Sequence, residues 1–252
     1  MSFMFKELDF QSTPLGDISL RKRADPRLDG KILYEVKLNE EFLMSSLFTE
    51  AEIQLSYLGL AALTDGPYAD QKLDVVVGGL GLGYTALAAL ENDAVQSLVV
   101  VDVMEAVIRW HKEGLVPWGK DLCDDPRASL IHADFFELAT SPTLGFDGAV
   151  FDEKEAIEKV HAVLLDIDHS PSYWLNPENS SFYTAENLGA MAQKIHPGGV
   201  FGLWSDELPD PRFVACLEQV FASVETHVVS FPNPYTFGES TNSVYIARTA
   251  LK

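Results

Sequence analysis

Leu73-Asp74-Val75-Val76-Val77-Gly78-Gly79-Leu80-Gly81-Leu82-Gly83-Tyr84-Thr85-Ala86 begins as a β-branched apolar run, breaks in four glycines within six residues, and resumes as an Ala/Leu-rich segment. That order predicts a buried parallel strand, a tight turn and a helix N-terminus. Glycines let backbone approach a ligand with no Cβ in the way, and the free N–H groups at a helix start favour a polar or anionic group. Gly78, Gly79, Gly81 and Gly83 are therefore candidate nucleotide-binding positions. Gly79, Gly81 and Gly83 give G-x-G-x-G, whereas the dinucleotide fingerprint needs glycine or alanine at Tyr84, which disfavours NAD. No Lys-Ser/Thr pair closes the turn, so it is not a Walker A loop.

Outward from this turn, strands and helices alternate. Further strands are expected at 97–101, 129–132, 161–165, 200–204, 225–230 and 243–247, with helices at 84–91, 104–114, 184–195 and 211–223. The segment 135–159 reads as loop with a helical piece. Such alternation predicts an α/β fold: a Rossmann-like, doubly wound seven-stranded sheet, mostly parallel with an antiparallel last strand. Upstream, 17–23, 31–38 and 41–46 read as strands of a small N-terminal β domain, with Arg21-Lys22-Arg23 alternating in and out of an edge strand. Thr49-Glu50-Ala51-Glu52 then opens a helix that Asp65-Gly66-Pro67 ends. The expected division is 1–46 for the β domain, 47–72 for a linking helix and 73–252 for the nucleotide domain.

With 252 residues, 47% of them hydrophobic, the chain can bury a large core. The formal charge of −20 repels phosphate backbones and anionic membranes, so neither nucleic acid nor membrane is an expected partner and a cationic small molecule is favoured. Met1 to Glu7 lacks the pattern of a signal peptide, which makes cytoplasm the expectation. Cys123 and Cys216 stand far apart, giving neither a disulfide framework nor a zinc site, and no metal is expected.

Ligands bind at the carboxyl ends of parallel strands, and acids fall there. Asp102, 19 residues after Gly83, can accept from both hydroxyls of a ribose. Asp134 can accept from an adenine amine, with Phe135 and Phe136 as an apolar wall. Asp166, Asp168 and His169 form the densest polar cluster, and a carboxylate or imidazole there can take the proton of an attacking amine. Tyr173 and Trp174 offer faces for a cationic or aliphatic substrate.

These motifs resemble, in order, the spermidine synthase-like branch of the class I S-adenosylmethionine-dependent transferases. The resemblance runs from about Glu41 to Arg248. It rests on 77–83, on 99–102 with Val107-Ile108, and on Asp125-Pro126-Arg127 before 133–137. Leu164-Leu165-Asp166 with Pro171, His196-Pro197-Gly198-Gly199 and Phe231-Pro232-Asn233-Pro234 complete it. It implies a cytoplasmic, commonly homodimeric transferase in which Asp102 holds the ribose, Asp134 the adenine, and Asp166 or Asp168 acts as acid-base, helped by His169. The donor is S-adenosylmethionine or its decarboxylated form, and the acceptor a small amine such as a polyamine. Two departures stand out. Gly81 replaces the aspartate that holds the donor's aminopropyl nitrogen, and Ser170 stands before Pro171 where an aspartate is expected. Asp17 or Glu50 are candidates to supply the missing charge. Aminopropyl transfer, methyl transfer to a small molecule and non-catalytic binding of an adenosyl nucleotide all remain open.

Overall fold

The computed structural model describes residues 5–150 and 158–252. From Leu73 on, β5 (Leu73–Gly78), β6 (Val95–Asp102), β7 (Ala128–His132), β8 (Val160–Leu165), β9 (Ile195–Ser205), β10 (Ser223–Asn233) and β11 (Gly238–Arg248) form one sheet. Its order is β10-β11-β9-β8-β5-β6-β7, and β11 alone runs antiparallel to its neighbours. Side chains alternate across it. Val75, Val77, Leu98, Val100, Leu164 and Ile246 enter one apolar layer, while Val76, Val101, Val163, Leu165 and Tyr245 enter the other. Burial on both faces is why these strands read as near-continuous apolar runs.

Helices α2 (Tyr84–Leu90), α3 (Glu105–Lys112), α4 (Gly119–Asp124), α5 (Phe135–Thr140), α6 (Ala185–Ala192) and α7 (Pro211–Leu217) occupy the connections. An additional helix, α1 (Glu50–Thr64), lies on β9, β11 and α2. It approaches closely because Gly59 faces the Leu164 side chain and Gly202 of β9 faces Leu55. No described helix is long and apolar enough to cross a membrane.

Residues before α1 form a second sheet, β1 (Phe5–Thr13), β2 (Gly16–Asp25), β3 (Lys31–Leu38) and β4 (Glu41–Ser45), in sequential antiparallel order. Strand β1 is additional to the three expected, and it moves Arg21-Lys22-Arg23 from an edge to an interior strand. Ile18, Leu20, Val36 and Leu38 join the same apolar layer as α1. The sheet is also tied to the β10–β11 hairpin. Tyr235 donates to Asp25 at 2.8 Å, and Arg27 and Arg23 hold the Asp25 carboxyl well below the usual carboxylate range.

Several boundaries differ from the expected ones. The His196-Pro197-Gly198-Gly199 turn lies inside β9, where pairing with β8 shifts register between Val160 and Ala162. The final hairpin extends well beyond 225–230 and 243–247 because its outer halves still pair, from Val229↔Asn242 to Asn233↔Gly238. Within 135–159, α5 is the helical piece, Leu144 bridges Val150, and 151–157 lies outside the described residues.

Candidate active site

Strand order reverses beside β5, the point at which open α/β sheets bind ligands. Gly78 accepts from the Asp166 N–H at 2.8 Å, and the Gly79 N–H donates to Val101 at 2.9 Å, so the ends of β8, β5 and β6 are level. The glycine turn therefore emerges between Asp166 and Asp102. Gly79 has φ +94°, and a Cβ there would lie 2.0 Å from the Asp166 carbonyl oxygen, so only glycine fits. Gly79 and Gly81 line a cavity of about 620 Å³ between the two sheets. Gly78 and Gly83 lie beneath it, against Phe135 and His111 respectively. Buried His111 donates Nε2–H to the Gly81 carbonyl at 3.0 Å, and burial pushes its pKa down.

Asp102 reaches this cavity while holding the turn, accepting from Leu80 N–H at 2.9 Å and Met104 N–H at 2.7 Å. Burial pushes its pKa up, and the amides of Met104, Leu80 and Gly81 oppose that shift. Asp134 also lines the cavity and caps α5, with Oδ1 accepting from Phe136 N–H at 2.8 Å and Oδ2 without a hydrogen bond among the described residues. Phe136 and Phe135 border the same space, but Phe135 belongs to the core, packed on Phe146 and Phe182.

The three candidate proton carriers occupy different settings. Asp166 faces the cavity, accepts from the Thr85 hydroxyl at 2.6 Å, and has its pKa pushed up to about 6 by burial, which the Thr85 bond opposes. Ser56 of α1 donates to the Thr85 carbonyl at 2.6 Å, so α1 braces this acid. Asp168 does not line the cavity. It is 1% exposed and accepts from Leu175 N–H, the Asn179 amide and the Tyr183 hydroxyl at 2.7, 2.9 and 2.8 Å, an anchor for the loop that follows. His169 does line the cavity, its ring stacked on Tyr173 and its Nδ1 3.7 Å from Asp206.

The expected substrate contacts fall elsewhere. Glu50 is exposed and accepts from Thr49 N–H, because its helix position points to solvent. Asp17 is exposed and bonded to Ser12. Tyr173 faces outward and donates to Glu41 of β4, while Trp174 is turned away, its indole N–H on the Pro171 carbonyl. What α1 does send into the cavity is Glu52, 8% exposed, with its pKa raised by burial first and then by the charge of Asp166. Met44 and Trp204 complete that wall. The Met44 sulfur accepts from Leu82 N–H, and Trp204 Nε1 has no partner among the described residues.

No family model matches the chain. Curated relatives do. Polyamine aminopropyltransferase 2 of Pseudomonas aeruginosa is 25% identical over 171 residues, 65% of this chain and 44% of that protein. The polyamine aminopropyltransferase of Sulfolobus acidocaldarius is 28% identical over 200 residues, 72% of this chain and 58% of the relative. The chain is a homologue of the polyamine aminopropyltransferases. This homologue spans about half the length of the curated relatives it matches. Its fold is that of the spermidine synthases. A spermidine synthase crystallised with the transition-state analogue AdoDATO superposes with a TM-score of 0.68 at 17% identity, over 98% of this chain and 75% of the other. The Thermotoga maritima spermidine synthase gives 0.65 at 16% identity, over 98% and 73%. A Cβ on Gly81 would lie 2.9 Å from the Met44 sulfur, so the thioether fills the space beside this position.

Proposed function

We propose that the chain transfers an aminopropyl group from decarboxylated S-adenosylmethionine to a small amine of the polyamine class. The reading is supported chiefly by one convergence: the glycine turn, Asp102 and Asp134 meet in a single cavity that also receives Asp166. The adenosyl group lies over the turn, with its ribose on Asp102 and its adenine on the free Asp134 oxygen. Asp166 takes the proton of the acceptor amine, whose lone pair attacks the carbon next to sulfur. The new C–N bond forms as C–S breaks, the bonding pair stays on sulfur, and methylthioadenosine leaves neutral. The protein's contribution is alignment and proton removal. The curated relatives favour aminopropyl over methyl transfer, and a homodimer, testable by light scattering, belongs to the same reading.

Calorimetry with decarboxylated S-adenosylmethionine, S-adenosylmethionine, methylthioadenosine and NAD, followed by methylthioadenosine release with a panel of diamines, tests it. The decarboxylated donor should bind best and turn over. Binding of NAD alone, or a sulfonium that binds but transfers only methyl, would overturn it.

Gly81→Asp is a second check. At φ +47° any side chain is strained, aspartate less than most, and the flexible end of Met44 can yield, so the cost is about 1–2 kcal/mol. The variant should shift preference toward the decarboxylated donor by roughly tenfold, the worth of one charge-assisted hydrogen bond. An unchanged ratio of the two dissociation constants would count against the assignment of that position.

A further inference from the structure

Glu52 of α1 is a buried acid. It lies on the buried face of α1 with Leu55, Ser56, Gly59 and Leu63, where helical spacing otherwise places apolar or small residues. Its carboxylate has no cationic side chain against it among the described residues, only its own backbone N–H, and it borders the cavity above the glycine turn. It also borders a second cavity of about 490 Å³, walled by Phe48, Phe231 and Tyr235, so it stands where the two spaces meet. A buried carboxylate without a countercharge is costly, and a neighbouring acid, here Asp166, makes it costlier. One bound cation would relieve both.

Resting on the function proposed above, we infer that Glu52 is the specificity residue for the ammonium end of the donor, replacing from α1 the acid that the glycine turn lacks at Gly81. The position suits this role. Asp102 and Asp134 fix the nucleoside at one end of the cavity, and Glu52 and Asp166 supply its negative charge beyond the turn. Ordinary S-adenosylmethionine would bring a carboxylate toward the same two acids. Glu52 therefore selects the decarboxylated donor by attraction and rejects the parent by repulsion.

Calorimetry on the whole chain and on Glu52→Gln tests this with four ligands: decarboxylated S-adenosylmethionine, its S-propyl analogue lacking the amine, S-adenosylmethionine and methylthioadenosine. The variant should bind the decarboxylated donor roughly tenfold to a hundredfold more weakly. The S-propyl analogue and methylthioadenosine should change by less than about threefold, and S-adenosylmethionine should bind better. Glu52→Asp should keep part of the preference for the amine. Equal loss for donor and S-propyl analogue would make Glu52 a structural residue and overturn the inference while leaving the function standing. Failure of the unsubstituted chain to bind methylthioadenosine or either sulfonium would overturn both.

Discussion

Asp166→Asn should lower kcat for amine alkylation by roughly 10²- to 10⁴-fold, the usual worth of a positioned general base. Dissociation constants for the nucleoside should move by less than about threefold, because the amide keeps an oxygen for the Thr85 hydroxyl. The unsubstituted chain should show kcat/KM rising through pH about 6 as Asp166 ionises, and the variant should lose that inflection. Stability should move the other way. The folded pKa is raised, so the unfolded chain releases this proton first, and stability is lost as pH rises from about 4 through about 6. Asparagine removes that loss, so the variant should be more stable at pH 7.5 by on the order of 1–3 kcal/mol and equal near pH 4. In thermal melts that is a few degrees for a chain of this size. Retention of more than a tenth of the turnover would sink Asp166 as the base and leave His169, the other titratable group of the triplet on the cavity wall.

Most of the nucleotide-binding fold is legible in the sequence because burial on both faces of a parallel strand leaves no alternation to confuse with a helix. Val75-Val76-Val77 and Val99-Val100-Val101 read as strands for that reason. Strand β1 hides because its residues are exposed or half-buried throughout, so no apolar face marks it. The outer hairpin hides because Pro232 and the polar run 238–242 give no strand signal while backbone pairing continues there.

The site divides in the same way. Asp102, Asp134 and Asp166 follow apolar strands directly, so topology alone brings them together. Glu52 is also marked, since Glu52, Ser56, Gly59 and Leu63 share one helical stripe and Glu50 does not, but an acid in a first turn reads as a dipole contact. Nothing local separates Asp166 from Asp168. Both follow the same strand, and the difference lies in Asn179 and Tyr183, 11 and 15 residues downstream.

That difference has a measurable size. Asp168→Ala should cost about 3–5 kcal/mol, the usual loss when one partner of a buried, hydrogen-bonded charged network is removed. The Asn179 amide, the Tyr183 hydroxyl and the Leu175 N–H would each be left without the acceptor that now ties them together. The midpoint of thermal unfolding should fall by roughly 10 °C, while circular dichroism below the transition stays that of an α/β fold. Asp168→Asn should fall between, because its oxygen can still accept from Leu175 and Asn179 while its amide group meets the Tyr183 hydroxyl in place of an acceptor. Activity should follow folded fraction in both variants, with a further modest decline because the anchored loop carries Leu175, Asn176 and Asn179 onto the cavity wall. A base would behave oppositely, losing turnover by orders of magnitude with an unmoved melting point. That pattern for Asp168, together with normal turnover in Asp166→Asn, would exchange the roles of the two acids.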